Sequence, residues 1–313
     1  MGDGRLEDRI RALSKELTPM KFPFYRLSTC LLAQLLLMAT PIGWFLLARS
    51  ALRLFRGREL LKALLAPLYL STLSNLSVRR IGPLLFCWQP LWGLRLLLPD
   101  LEGIYRYYHI WLREDYEKVA GPGEGDIVID AGAHVGLFTL KCLRIHKACL
   151  VVAVEPHPLN AKLLRSNMVL NGLEGKVAVV EAALGSEEGK GRLYLARVAG
   201  RHSLVQRHGG RSIPVEVITI DGLVRGLGLE RVDFIKVDVE GAELDVLRAA
   251  GGTLSRFRPT LVIEARVDRL RELVDLLRPY GYEFFVLPCE WGGWVHLTAL
   301  PRHRLPPLYS AVA

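Results

Sequence analysis

The sequence predicts an α/β fold: a doubly wound, mostly parallel sheet over residues 101–313, preceded by an apolar, basic helical region over residues 1–100. Three observations predict it. Short apolar runs alternate with amphipathic segments from Asp126 onward. A glycine turn, DAGAHVG from Asp130 to Gly136, follows the first of these runs. The first hundred residues combine a long uncharged run with an excess of Lys and Arg.

The elements follow in order from their patterns. Ile127, Val128 and Ile129 form an apolar run after the breaker PGEG (Pro122 to Gly125), as expected of a strand buried on both faces, near 126–131. Asp130 ends it. Gly132 and Gly136 fall in the strand-to-helix turn, where backbone approaches a ligand closely, and Val135, Phe138, Thr139 and Leu143 carry helical spacing over 135–147. A second strand, 149–155, closes on Glu155, and a helix is expected over 157–170. Strands at 176–181, 191–196 and 213–219 come next, then a helix at 221–228. VDFIKVDVEGAELDVLRAA, from Val232 to Ala250, reads as a strand over 232–238 and a helix over 241–251, opened by Gly241 with Leu244, Leu247 and Ala250 on its apolar face. Lys236, Asp238 and Glu240 therefore cluster at that strand's exit, with Lys236 and Asp238 on one side by alternation. A strand at 259–265, a helix at 267–279 and a hairpin of strands at 282–288 and 293–299 complete the pattern, the hairpin adding an antiparallel edge.

Charge is unevenly spread. Of the net charge of +9, residues 1–120 contribute 17 Lys and Arg against 10 Asp and Glu, so the remainder is nearly neutral. That argues against a nucleic-acid surface around the site, and no nucleic-acid partner is expected. Cys30, Cys87, Cys142, Cys149 and Cys289 form no C-x-x-C pair, which fits reduced thiols in the cytoplasm. The His residues share no ligand spacing.

Leu27 to Ala48 is a run of 22 residues without a charge. At about 1.5 Å per residue it is long enough to cross a hydrocarbon core of ~30 Å. Lys21 and Arg26 precede it, and Arg49, Arg53, Arg56, Arg58 and Lys62 follow. Three readings stand: a spanning or hairpin anchor, an interfacial attachment, or two core helices of a lid divided at Pro41 and Gly43. An anchor would leave the downstream, catalytic side in the cytoplasm.

The glycine spacing narrows the ligand. A dinucleotide fingerprint needs three glycines around a diphosphate, whereas this chain reads Asp130-x-Gly132-x-x-x-Gly136. The turn, with Glu155 closing the second strand, resembles the first motif of the class I methyltransferases that bind S-adenosylmethionine. IKVDVEGAELDVLRAA resembles the signature of the FkbM family of methyltransferases. VIDAGAHVGLFTL, VEPHPLNAKLLRSN, His202-Ser203-Leu204, VITIDGL and LVIEAR agree with it. The chain departs from the family's usual Asn at His134 and His157, and from its usual His near Arg266.

The resemblance implies the seven-stranded sheet of class I methyltransferases and S-adenosylmethionine as cofactor. Asp130, Gly132, Ala133 and Gly136 would form the turn against the cofactor's methionine end, with His134 between the glycines as a pocket residue. Glu155 would bind the ribose, and Glu181 and Ala182 the adenine side. For a hydroxyl acceptor the enzyme must bring the reactants together and remove a proton. Asp238 is the first choice of base, Glu240 the second, with Lys236 beside them and Glu264 as a supporting acid. A divalent ion on these acids is an open alternative. The expected activity is O-methylation of a small-molecule, sugar or lipid-linked glycan acceptor. A NAD-dependent oxidoreductase and an inactive membrane-tethered binding protein of the same fold are the competing classes.

Overall fold

The computed structural model describes residues 77–81, 84–89, 93–99, 102–196, 202–205, 210–289 and 293–305. The uncharged run at 27–48 lies outside them. Among the described residues, no helix is long and apolar enough to cross a membrane. The chain divides between Tyr108 and His109 into two compact units.

In the first unit, β1 (Ser77–Ile81), β2 (Leu84–Gln89) and β3 (Leu94–Leu98) form an antiparallel meander, followed by α1 (Glu102–Tyr107). The expectation of a helical region up to residue 100 is corrected here. Pro83 and Pro90 cut the sequence into runs whose length suits strands. Leu94, Leu96, Leu97 and Leu98 are all buried, so β3 lacks the alternation that marks a half-exposed strand.

A π-helical turn, Tyr108–Leu112, runs across the division and into the second unit. The central sheet of that unit contains β4 (Ile127–Ala131), β5 (Leu150–Val154), β6 (Val177–Val180), β10 (Phe234–Val237), β11 (Thr260–Arg266), β12 (Tyr282–Pro288) and β13 (Trp294–Pro301), in the order β12-β13-β11-β10-β4-β5-β6. Helices α2 (Leu137–Arg144) and α3 (Pro158–Leu170) connect β4 to β5 and β5 to β6. Ile220–Gly226 (α4) precedes β10, Glu243–Arg248 (α5) and Gly251–Phe257 (α6) link β10 to β11, and Leu270–Leu277 (α7) links β11 to β12. The expected helix over 241–251 is thus two helices, and Gly241 belongs to the turn before the first.

The hairpin of β12 and β13 is present and brings antiparallel pairing to that edge of the sheet. The last strand, β13, inserts between β11 and β12 and is antiparallel to both, so the edge strand β12 runs parallel to the other five. Strands at 191–196 and 213–219 were expected in the alternating pattern. They are instead β8 (Gly189–Tyr194) and β9 (Ser212–Ile218), which pair in a separate sheet with β7 (Ala183–Leu184). Sheet membership depends on pairing between distant segments, and a local pattern does not carry it.

Val128, Ile129, Val151, Val152, Phe234, Ile235, Leu261 and Ile263 are inaccessible to solvent, which explains their unbroken apolar runs. The chain leaves β4 toward β5 on one side and returns through β10 on the other. The crevice beyond the carboxyl ends of β4 and β10 is the switch point at which such sheets bind ligands.

Candidate active site

The register places Lys236 beside Asp130 and Val237 beside Ala131, so the turn after β4 and the exit of β10 are neighbours. Gly132 and Gly136 have φ of +77° and +83°, in the left-handed region that favours glycine. The N–H groups of Gly132 and Ala133 both donate to the Val154 carbonyl at 3.0 Å, tying the turn to β5. His134, also at positive φ, donates its backbone N–H to Glu155 Oε2 at 2.9 Å.

Asp130 lies beneath the turn and is fully buried. Thr139 Oγ1 donates to its Oδ2 at 2.6 Å, and Lys236 Nζ donates to its Oδ1 at 3.1 Å. Lys236, only 3% exposed, also donates to the Gly132 carbonyl at 3.0 Å. Burial pulls the Lys236 ammonium pKa down, but Asp130 and Asp238 outweigh it and hold the pKa above the ordinary lysine value. Asp130 and Lys236 therefore brace the turn from inside. Lys236, expected with the catalytic side chains, is covered by its partners.

Glu155 is also buried, and its carboxylate accepts from the backbone N–H groups of His134 and His157 and from Asn160 Nδ2. Burial pushes its carboxyl up to about 7 against the opposing effect of those backbone donors. A carboxylate offers about four acceptor positions, so three protein donors leave room for a ribose hydroxyl. The His157 ring stacks on that of His202 at 4.6 Å and 35°. Burial lowers the His157 pKa to about 4, so its ring is neutral, and its buried Nδ1 has no hydrogen-bond partner. Ala182 is buried just beyond β6, while the exposed Glu181 pairs with Arg165 at 3.0 Å.

At the exit of β10, Asp238 is 12% exposed and lies 3.7 Å from Lys236 Nζ. Glu240 takes positive φ, and its carbonyl accepts from Ser203 Oγ at 2.6 Å. The buried Glu243 accepts from the Gly241 N–H at 2.8 Å, and burial lifts its carboxyl to about 7. Tyr116 Oη contacts Asp238 Oδ2 at 2.9 Å and Glu264 Oε2 at 3.1 Å. His296 Nε2 stands 3.5 Å from the same Glu264 oxygen. The structure thus brings Asp130, Gly132, Lys236, Asp238 and Glu264 to one place, with Glu155 across the turn. Tyr116, Glu243, Asn160 and His296 were not foreseen. Glu243 stands within the VEGAE string and was legible as a cap for the turn; Tyr116 carries no local signal. Among the described residues, no group of three or more His, Cys, Asp or Glu side chains is arranged to hold a metal ion.

The family model for the methyltransferase FkbM domain matches residues 130–284. Methyltransferase sdnD of Sordaria araneosa is 30% identical over 228 residues, spanning 62% of this chain and 88% of that protein. The chain belongs to the FkbM methyltransferase family. It is accordingly an S-adenosylmethionine-dependent methyltransferase, and the oxidoreductase reading is set aside. Another FkbM relative, the 31-O-demethyl-FK506 methyltransferase of Streptomyces tacrolimicus, is 27% identical over 213 residues, or 57% of this chain and 81% of that protein. A solved FkbM methyltransferase of Methylobacillus flagellatus KT superposes with a TM-score of 0.45 at 20% identity, covering 63% of this chain and 50% of that one. The FkbM match begins at Asp130, so Tyr116 lies before it.

Proposed function

We propose that this chain methylates a hydroxyl oxygen of a small-molecule, sugar or lipid-linked glycan acceptor, with Asp238 as general base. The observation that carries this reading is the contrast at the crevice. Asp130 and Lys236 are sealed beneath the turn, whereas Asp238, one strand position beyond β10, retains access to solvent. The S. tacrolimicus relative is named for a substrate demethylated at oxygen, which supports oxygen as the acceptor atom.

The cofactor supplies an electrophilic methyl group on a sulfonium. The residues present fit it. Glu155 would accept from a ribose hydroxyl, the first-turn N–H groups of α2 suit a carboxylate, and Ala182 and His157 would line the adenine side. Catalysis by the protein then consists of orienting the acceptor and taking its hydroxyl proton onto Asp238, with Glu240 the alternative acid.

We assign the catalytic machinery to residues 101–313 and any membrane attachment to residues 27–48, the latter from length and flanking charge alone. Incubating membrane and soluble extracts with the purified enzyme and methyl-labelled S-adenosylmethionine tests the function. A labelled ether in a small molecule or glycan is expected, whereas label on nitrogen or carbon overturns the O-methylation reading. Release of the full chain from membranes by alkaline carbonate would exclude a spanning anchor.

A further inference from the structure

Residues 109–118 precede the start of the family match at Asp130, yet they tie the cofactor helix to the crevice. Trp111 Nε1 donates to the carbonyl of Leu137, the first residue of α2, at 3.0 Å. One turn later on the same helix, Lys141 Nζ donates to the Ile110 carbonyl at 2.8 Å and to Glu117 Oε2 at 2.6 Å. The second Glu117 oxygen stands 2.8 Å from His146 Nε2. Lys141 and Glu117 are only 2% and 6% exposed.

Glu117 and Tyr116 are adjacent in the chain but serve different neighbours. While Glu117 grips α2, the Tyr116 hydroxyl donates to Asp238 Oδ2 at 2.9 Å. The turn that carries both is closed by its own backbone, with the Glu117 N–H on the Glu114 carbonyl at 3.0 Å and the Asp115 N–H on the His109 carbonyl at 3.2 Å. A shift of Glu117 therefore moves Tyr116 with it. The Tyr116 ring also packs edge-on against Phe138, the residue after Leu137 on α2, with centroids 5.6 Å apart.

Burying two charges is costly, and an apolar pair of similar volume often gives equal stability. What short charge-assisted bonds supply instead is a single geometry. We propose that the buried Lys141–Glu117 pair is a positioning device for methyl transfer: it fixes Tyr116 so that the phenol donates to Asp238 and sets that carboxylate's orientation. Because α2 also offers its first-turn N–H groups to the cofactor, the pair places the base on the same support as the methyl donor. An error of about 1 Å in such a placement costs ~10²-fold in rate. The role in turnover rests on Asp238 being the base, but the hold on Asp238 does not.

That hold is measured at Asp238 itself, by a pH titration of the full-length protein carrying carbon-13 at the Asp side-chain carboxyls, followed by NMR. Asp238→Asn assigns the signal. A hydrogen bond donated to the ionised form lowers a carboxyl pKa. Tyr116→Phe keeps the ring, removes that donor and should raise the Asp238 midpoint by about one unit. Lys141→Met combined with Glu117→Leu removes the pair without changing net charge, and should raise the midpoint by about half a unit or more. In the Tyr116→Phe background the same two substitutions should add less than about 0.3 unit, since their effect passes through the phenol. Lys236, Glu243, Glu264 and Cys289 share the field at Asp238 and are unaltered in these variants. If the double variant does not fold, Glu117→Asp keeps both charges, shortens the arm by one methylene and carries the same two expectations. An Asp238 midpoint unmoved in Tyr116→Phe overturns the proposal. So does a midpoint that loss of the pair leaves unmoved, or moves equally with and without the phenol. Turnover of Asp238→Asn decides the base assignment separately, so either reading can fail alone.

Discussion

The carbonyl oxygen of Asp238 occupies the space a side chain on Gly132 would need: a Cβ built there would lie 1.8 Å from it. The cofactor turn and the proposed base are therefore interlocked through backbone. Gly132→Ala must displace one or the other and also holds alanine at φ +77°. It should destabilise the protein by more than about 3 kcal/mol and abolish cofactor binding. Gly136→Ala meets side-chain atoms of Leu164 and Met168 at 2.9 Å, which have more freedom to shift, and should cost less in a denaturant titration.

Glu155 should make cofactor binding pH-dependent. A ribose hydroxyl donates best to the carboxylate, and in the free protein this group titrates at about 7. Affinity for S-adenosylmethionine should therefore fall by up to about tenfold for each pH unit below that value, with proton release on binding. Calorimetry in buffers of different ionisation enthalpy measures both effects. Glu155→Gln should weaken binding by roughly 1.5–3 kcal/mol and remove the dependence. The same raised pKa acts on folding with a definite sign. Its contribution to stability is complete below the ordinary value of 4.5 and lost as pH rises through about 7, and Glu243 behaves alike.

Lys236→Met removes the cation that pairs with Asp130 and leaves a buried carboxylate above the core. A loss of about 3–5 kcal/mol is expected in urea unfolding. Lys236→Met combined with Asp130→Asn should recover part of it, because the stranded charge is gone. No recovery would mean that the link from Lys236 to the Gly132 carbonyl matters more than its charge.

Asp238→Asn keeps size and hydrogen bonding but not basicity. Turnover should drop by about 10²–10⁴-fold with little change in cofactor affinity. Should Glu240→Gln be the inactive variant instead, the two acids exchange roles. If both variants turn over normally, proximity alone accounts for the rate.

Much of this arrangement was legible because it is local. The run from Ile127 to Gly136, the acid at Glu155 and the VDVEGAE string each place chemistry within a few residues of a strand end, where periodicity locates it. Tyr116 was not legible, since its meaning comes from partners 122 and 148 residues away. Lys236 and Asp238 lie 3.7 Å apart at the exit of β10, but alternation does not tell which side chain is covered by Asp130 and which reaches the crevice. The meander from Ser77 to Leu98 was misread for a related reason: β3 is buried on nearly every position and shows no period of two.

The insertion of β13 between β11 and β12 has a consequence for how the chain matures. During synthesis β11 and β12 leave the ribosome before the strand that must separate them, and both run in the same direction. Until Trp294–Pro301 emerges, two apolar strand edges stand open to each other and to neighbouring chains. His296 arrives on that same strand, beside Glu264. The corner of the site around Tyr116 is thus among the last parts to be completed, and nascent chains arrested before Trp294 should depend on holdase chaperones while those released after it should not.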